Sequence, residues 1–200
     1  MKLSGLKTVL AAIALVLAVG GCATSSYDTA QQTGTALAGH EVADANNDGT
    51  YVSAGALTYQ LQVSRELNPY AVEDSQYVRG LPKGTTGPNG QQLWYGVFLW
   101  AKNQHHVPHT TSDNFEIVDT QSNTYKPLKL DKALNPFAWT SETLAGGVTE
   151  PGENTTAAQA FTQGGLLLFK LPETVYSNRP LTLYILSPDD KKIGEISLDL

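Results

Sequence analysis

Three imidazoles fall within five residues in His105-His106-Val107-Pro108-His109. Neutral imidazole suits Cu²⁺, Ni²⁺ and Zn²⁺, so this loop is the candidate metal site, with Asp113 nearby or the distant His40 as a further ligand. The same residues also make an ordinary solvated loop, because a working site needs outer partners that fix each ring. A second cation pattern, Asp44-Ala45-Asn46-Asn47-Asp48-Gly49, matches the first half of an EF-hand loop. Its twelfth position is Gly55 where a bidentate Glu should stand, and no helix flanks it. Asn135-Pro136-Phe137-Ala138-Trp139 sets two aromatics in a loop. Exposed, Phe137 and Trp139 form a patch for a peptide, glycan or partner protein; folded back, they plug the end of a sandwich, as such residues more often do.

Catalytic chemistry is poorly represented. No G-x-S-x-G elbow and no H-E-x-x-H motif occurs. The carboxylate pairs Glu73-Asp74 and Asp189-Asp190 are sequence neighbours in turns, and neighbours on an extended chain face opposite ways. The glycines of residues 80–90 lack the Lys-Ser or Lys-Thr of a phosphate-binding loop. The protein is therefore expected not to be an enzyme.

Cys22, the only cysteine, carries a different chemistry. Residues 1–21 hold Lys2 and Lys7, no acidic residue, and an apolar run over 9–19. As a helix that run rises about 16 Å, roughly half of a ~30 Å hydrocarbon core, so it reads as a secretory signal and not a spanning helix. Val19-Gly20-Gly21-Cys22 resembles the bacterial lipobox, in which the Cys thiol is alkylated with diacylglycerol before cleavage. Two or three acyl chains give a stable anchor. A thiol so used leaves no disulfide and no thiol nucleophile.

Without the signal, 11 basic residues stand against 19 acidic ones, a net of −8 with no basic run. This argues against nucleic acid as a partner. Residues 22–54 contain scarcely any large apolar side chain and read as the lipidated Cys and a flexible stem. Residues 55–200 fit a single domain.

The elements that must position these residues are strands. In GALTYQLQVS, Leu57, Tyr59, Leu61 and Val63 point one way and the polar residues the other. Residues 93–101 (LWYGVFLWA) are apolar on both faces, as in a central strand. Further strands are expected at 115–118, 124–130, 157–161, 166–171 and 181–186, and Ile196, Leu198 and Leu200 alternate at the end. A short helical turn is expected near Asn68-Pro69. Turn residues such as Pro151-Gly152 and Gly164-Gly165 separate the strands. About eight strands and no long helix predict an all-β, antiparallel sandwich.

The order of landmarks resembles a known family. A strand ending in Asn (VFLWAKN) is followed by Phe115, Ile117, Asp119 and Tyr125, then by Pro151-Gly152 and by LLLFKLP. This is similar to the immunoglobulin-like domain of unknown function found in secreted and lipid-anchored bacterial proteins. The resemblance covers roughly 55–200 and implies an immunoglobulin-like β-sandwich of about 7–9 strands outside the cytoplasm, with no catalytic residues. The loops at 66–92 and 132–147 are longer than that fold needs. The expected protein is thus a membrane-anchored lipoprotein of the cell envelope with a non-catalytic binding or accessory domain. Its partner would be an envelope protein or extracellular ligand. The alternative is an envelope metal-binding protein acting through His105, His106 and His109, that metal being the only cofactor expected.

Overall fold

Alternating side chains give two-faced ribbons, and the computed structural model shows which faces meet. It describes the backbone of 41–44, and residues 51–186 and 191–198. The signal peptide, Cys22, His40 and most of the candidate calcium loop lie outside the described residues. The strands in chain order are β1 (Glu41–Asp44), β2 (Tyr51–Ala54), β3 (Leu57–Leu67), β4 (Gln92–Lys102), β5 (His109–Thr110) and β6 (Asn114–Val118). They continue with β7 (Thr124–Tyr125), β8 (Thr143–Leu144), β9 (Thr149–Glu150), β10 (Gly165–Pro172), β11 (Leu181–Leu186) and β12 (Lys192–Leu198). Two one-turn helices, α1 (Val72–Ser75) and α2 (Thr156–Gln159), and a 3-10 turn at Glu173–Tyr176 lie between them.

The fold is an all-β sandwich. One sheet has the order β1-β12-β11-β6-β7, the other β10-β4-β3-β2 with β9 continuing beside β4, and β5 pairs with β8 as a separate ribbon. Pairing is antiparallel except for β1 with β12, which is parallel. Between the sheets, Tyr59, Tyr95, Leu99, Phe115, Ile117, Phe169, Leu183 and Ile196 form the main core. A second core covers the outer face of the β10-β4-β3 layer, where Leu67, Trp94, Phe98, Leu166 and Leu168 meet Tyr77, Leu130, Phe137 and Ala157. The two long loops flagged in the sequence thus fold down as a third layer. This is why β4 is apolar on both faces.

Several sequence expectations change. Residues read as stem contribute β1 and β2, with Val52 and Ala54 buried, so the sheets begin at 41 and not at 55. Four-residue strands show too little alternation to stand out from their polar flanks. Val63 does not share a face with Leu57, Tyr59 and Leu61. A bulge between Leu61 and Val63 pairs Leu61 with Leu99 but Val63 with Phe98, turning Val63 to the outer core. The strand expected at 157–161 is α2, because Thr155 is a side-chain N-cap whose oxygen accepts from the Ala158 N–H. The strand expected over 124–130 ends at Tyr125, two residues before Pro127, which has no N–H for a ladder. The turn near Asn68 is present: the Asn68 side chain accepts from the Tyr70 N–H, and α1 follows.

Candidate functional site

The histidine loop is built on Asn103, the polar residue that ends the VFLWAKN strand. Its side chain is fully buried, donates to the carbonyls of Val107 and Leu144 at 2.8 Å each, and accepts from the His105 N–H at 2.9 Å. Gly146 lies beneath the loop, where a Cβ would come within 2.6 Å of the His105 carbonyl. His105 and His106 are exposed and His109 is half-buried at the start of β5. The rings of His105 and His109 approach with centroids 5.4 Å apart and planes at 71°. His106 does not join them, and among the described residues no three of His, Cys, Asp or Glu gather closely enough to hold a metal ion. The loop is a fixed turn with two neighbouring imidazoles, and the three-histidine ligand set of the metal-binding alternative is not assembled among the described residues.

Phe137 and Trp139 are plugs. Phe137 is 3% exposed and packs edge-on to Tyr77 at 4.8 Å, sealing the outer core. Of the two arrangements open to it, Phe137 takes the buried one and not the exposed patch: the ring is spent on covering the apolar face of β4 and β10. Trp139 enters the main core from the side. Its indole N–H donates to the Ser112 carbonyl, its ring stands edge-on to Phe115 at 5.6 Å, and it lies so close to Gly165 that a Cβ there would meet Cε3 at 2.7 Å. One side of Trp139 stays open.

That open side lines a slot of about 490 Å³ that the sequence analysis did not single out. Phe115, Trp139, Leu166 and Leu167 supply apolar surface, and Lys126, Lys129, Asp113 and Ser141 supply polar surface. Its wall is the segment after β7. This strap leaves one sheet at Pro127 and docks on the edge of β10, where the Leu128 N–H donates to the Leu168 carbonyl and the Trp139 N–H to the Leu166 carbonyl. The edge of β10 is thereby covered, while a gap remains beside β6. No composition signal marks this slot, because its lining comes from four separate stretches.

Two clusters built on charged groups tie neighbouring segments of the chain together. Asp119, at the end of β6, is buried and accepts from the Asn123 and Asn178 side-chain amides, the Tyr125 hydroxyl and the backbone N–H groups of Gln121 and Asn123. Burial alone would raise its pKa, but these donors outweigh it and hold the carboxyl at about 2. In the second cluster, Lys132 donates to Thr140 at 2.7 Å and Glu142 at 3.0 Å, with the buried Glu150 carboxylate at 3.5 Å. Burial pushes the Glu150 carboxyl up, against the opposing pull of Lys132. Inside the sandwich the Tyr59 hydroxyl accepts from the Ser112 N–H, and burial raises it to about 12. These groups hold parts of the chain together, and each is committed to partners within it.

No family model matches the sequence, and no curated protein matches it. Solved structures similar to this chain include the yjhA protein of Bacillus subtilis, at 13% identity and a TM-score of 0.45, covering 74% of this chain and 96% of that one. Another is "a putative lipoprotein (ycdA)" of Bacillus subtilis, at 13% identity and a TM-score of 0.44 over 75% of this chain and 38% of that one. A β-sandwich protein of Clostridium difficile is similar at 12% identity, with a TM-score of 0.40 over 76% of this chain and 91% of that one.

Proposed function

We propose that this protein is a lipid-anchored, non-catalytic binding domain on the outer side of a bacterial membrane, with the slot beside β6 as its binding surface. The observation that carries the reading is the slot itself: a gap of about 490 Å³ reaching the main core, walled by apolar side chains and rimmed by lysines. Elsewhere the long loops are spent on covering the outer face of the sheet. The lipobox-like Val19-Gly20-Gly21-Cys22 supports the address. The test is photo-crosslinking on intact cells with the probe at Ser141, an exposed residue of the slot, and a control probe at His106. A reproducible adduct of defined mass from Ser141, absent from His106, is the expected result. No adduct from the slot would sink the reading.

The second reading, an envelope metal-binding protein, rests on the 5.4 Å approach of His105 and His109. Thermal melts with and without Cu²⁺, Ni²⁺ and Zn²⁺ test it. Binding at a hundred times the dissociation constant stabilises by about 2.7 kcal/mol, and the shift should vanish on replacing both histidines by Ala. An unchanged melt removes this reading.

A further inference from the structure

Resting on the metal-binding reading above, we propose that His105 and His109 are half of a tetrahedral Zn²⁺ site, completed by the same pair on a second copy of this chain. Both rings are carried by backbone that the fold holds in place. The buried Asn103 side chain makes three bonds, to the His105 N–H and to the carbonyls of Val107 and Leu144. Leu144 is also the ladder partner of His109 in the β5–β8 ribbon. The two histidines are thereby tied to one another through Leu144, with Gly146 packed under the His105 carbonyl. Such bracing is what a ligand pair needs, because a loosely held ring loses its geometry.

The ring spacing selects the coordination. A nitrogen about 2.0–2.1 Å from Zn²⁺ puts the ion about 3.2 Å from the centre of its ring. Two such rings at the tetrahedral angle have centres about 5.2 Å apart, against about 4.5 Å at adjacent corners of a square-planar Cu²⁺ or Ni²⁺ site. His105 and His109 stand at 5.4 Å. Turning each ring about its last side-chain bond aims a nitrogen at the shared ion and leaves the ring centre almost where it is. Tetrahedral Zn²⁺ therefore fits this pair.

Two ligands do not complete the shell, since structural Zn²⁺ is almost always held by four. Among the described residues no third His, Cys, Asp or Glu gathers with the pair. A second copy supplies the missing two, with a two-fold axis through the ion. His105 is exposed and His109 half-buried, so the pair can be approached. Val107 and Val148, 58% and 44% exposed, lie beside it, their carbonyls bonded to the side chain and the N–H of Asn103. A second copy would cover both valines. Chains of net charge −6 repel one another, so the ion is what brings the two together.

The test is native mass spectrometry of the full-length protein, untagged and released from detergent micelles, with and without Zn²⁺. The expected species is a dimer carrying one Zn²⁺ and lost on chelation. His105→Ala and His109→Ala should each abolish it, and His106→Ala should leave it intact. Zinc X-ray absorption should show four nitrogen ligands at about 2.0 Å. At fixed free Zn²⁺, diluting the protein tenfold should lower zinc occupancy, because a bridged ion needs two copies. One Zn²⁺ held by a monomer overturns the bridge while leaving the metal-binding reading. A dimer that forms equally without Zn²⁺, or one lost in His106→Ala, overturns it too. No bound Zn²⁺ also overturns it, and with melts unchanged by any of the three metals it removes both readings.

Discussion

Asp119 accepts five hydrogen bonds while only 4% exposed, and it ties the β6–β7 turn to Asn178 just before β11. The spacing Phe115, Ile117, Asp119 and Tyr125 was legible in the sequence as a landmark. Its meaning lay in the folded chain, since Asn178 is 59 residues away. The carboxyl falls from 3.8 to about 2 on folding, so between those pH values the unfolded chain binds more protons. The stability it contributes, on the order of 2 kcal/mol, is complete above about pH 4 and lost as pH falls through about 2. Asp119→Asn should cost about 1–3 kcal/mol near neutral pH, and the two proteins should converge toward pH 2. Urea midpoints measured across that range check it; a difference independent of pH would assign the loss to packing. Gly165 makes a second case at this scale. A methyl group there meets the Trp139 ring at 2.7 Å, so Gly165→Ala should destabilise by about 1–3 kcal/mol and shift tryptophan fluorescence.

At the scale of elements, the long loops form a layer. The sequence marked 66–92 and 132–147 as longer than the fold needs, and β4 as apolar on both faces. Joining these two observations would have shown that the loops cover β4. What hid the connection is distance along the chain: Phe137 meets Tyr77 across 60 residues. Local pattern also cannot show a bulge, so Val63 was placed on the wrong face, or a two-residue strand such as β7, whose partner defines it. The slot was invisible for the same reason, being the space left where β7 stops. The plug predicts that Phe137→Ala costs about 3–5 kcal/mol by opening a cavity over β4. Chemical denaturation measures it. A loss below about 1 kcal/mol would show that the layer can collapse onto the gap.

For the whole molecule, the proposed function puts tethering and binding in different parts of the chain. Eighteen residues, 23–40, separate Cys22 from β1, so the start of β1 can lie no farther than about 65 Å from Cys22. Within that radius a partner in the same membrane would meet the slot at a high effective concentration, so a modest affinity would suffice. The competing source of membrane attachment is the loop layer, which leaves Tyr70, Val72 and Phe161 almost fully exposed, at 95%, 87% and 107%, with Leu134 at 64%. Exposed apolar side chains of this kind can also dock on lipid or protein. Replacing residues 1–22 with a cleavable signal peptide that lacks the lipobox separates the two. If the acyl chains supply the anchor, the variant moves from the membrane fraction to the soluble one on cell fractionation. If it stays with the membrane, and Phe161→Ser with Val72→Ser then releases it, the loop layer is itself a docking face and the slot is free to serve a second partner.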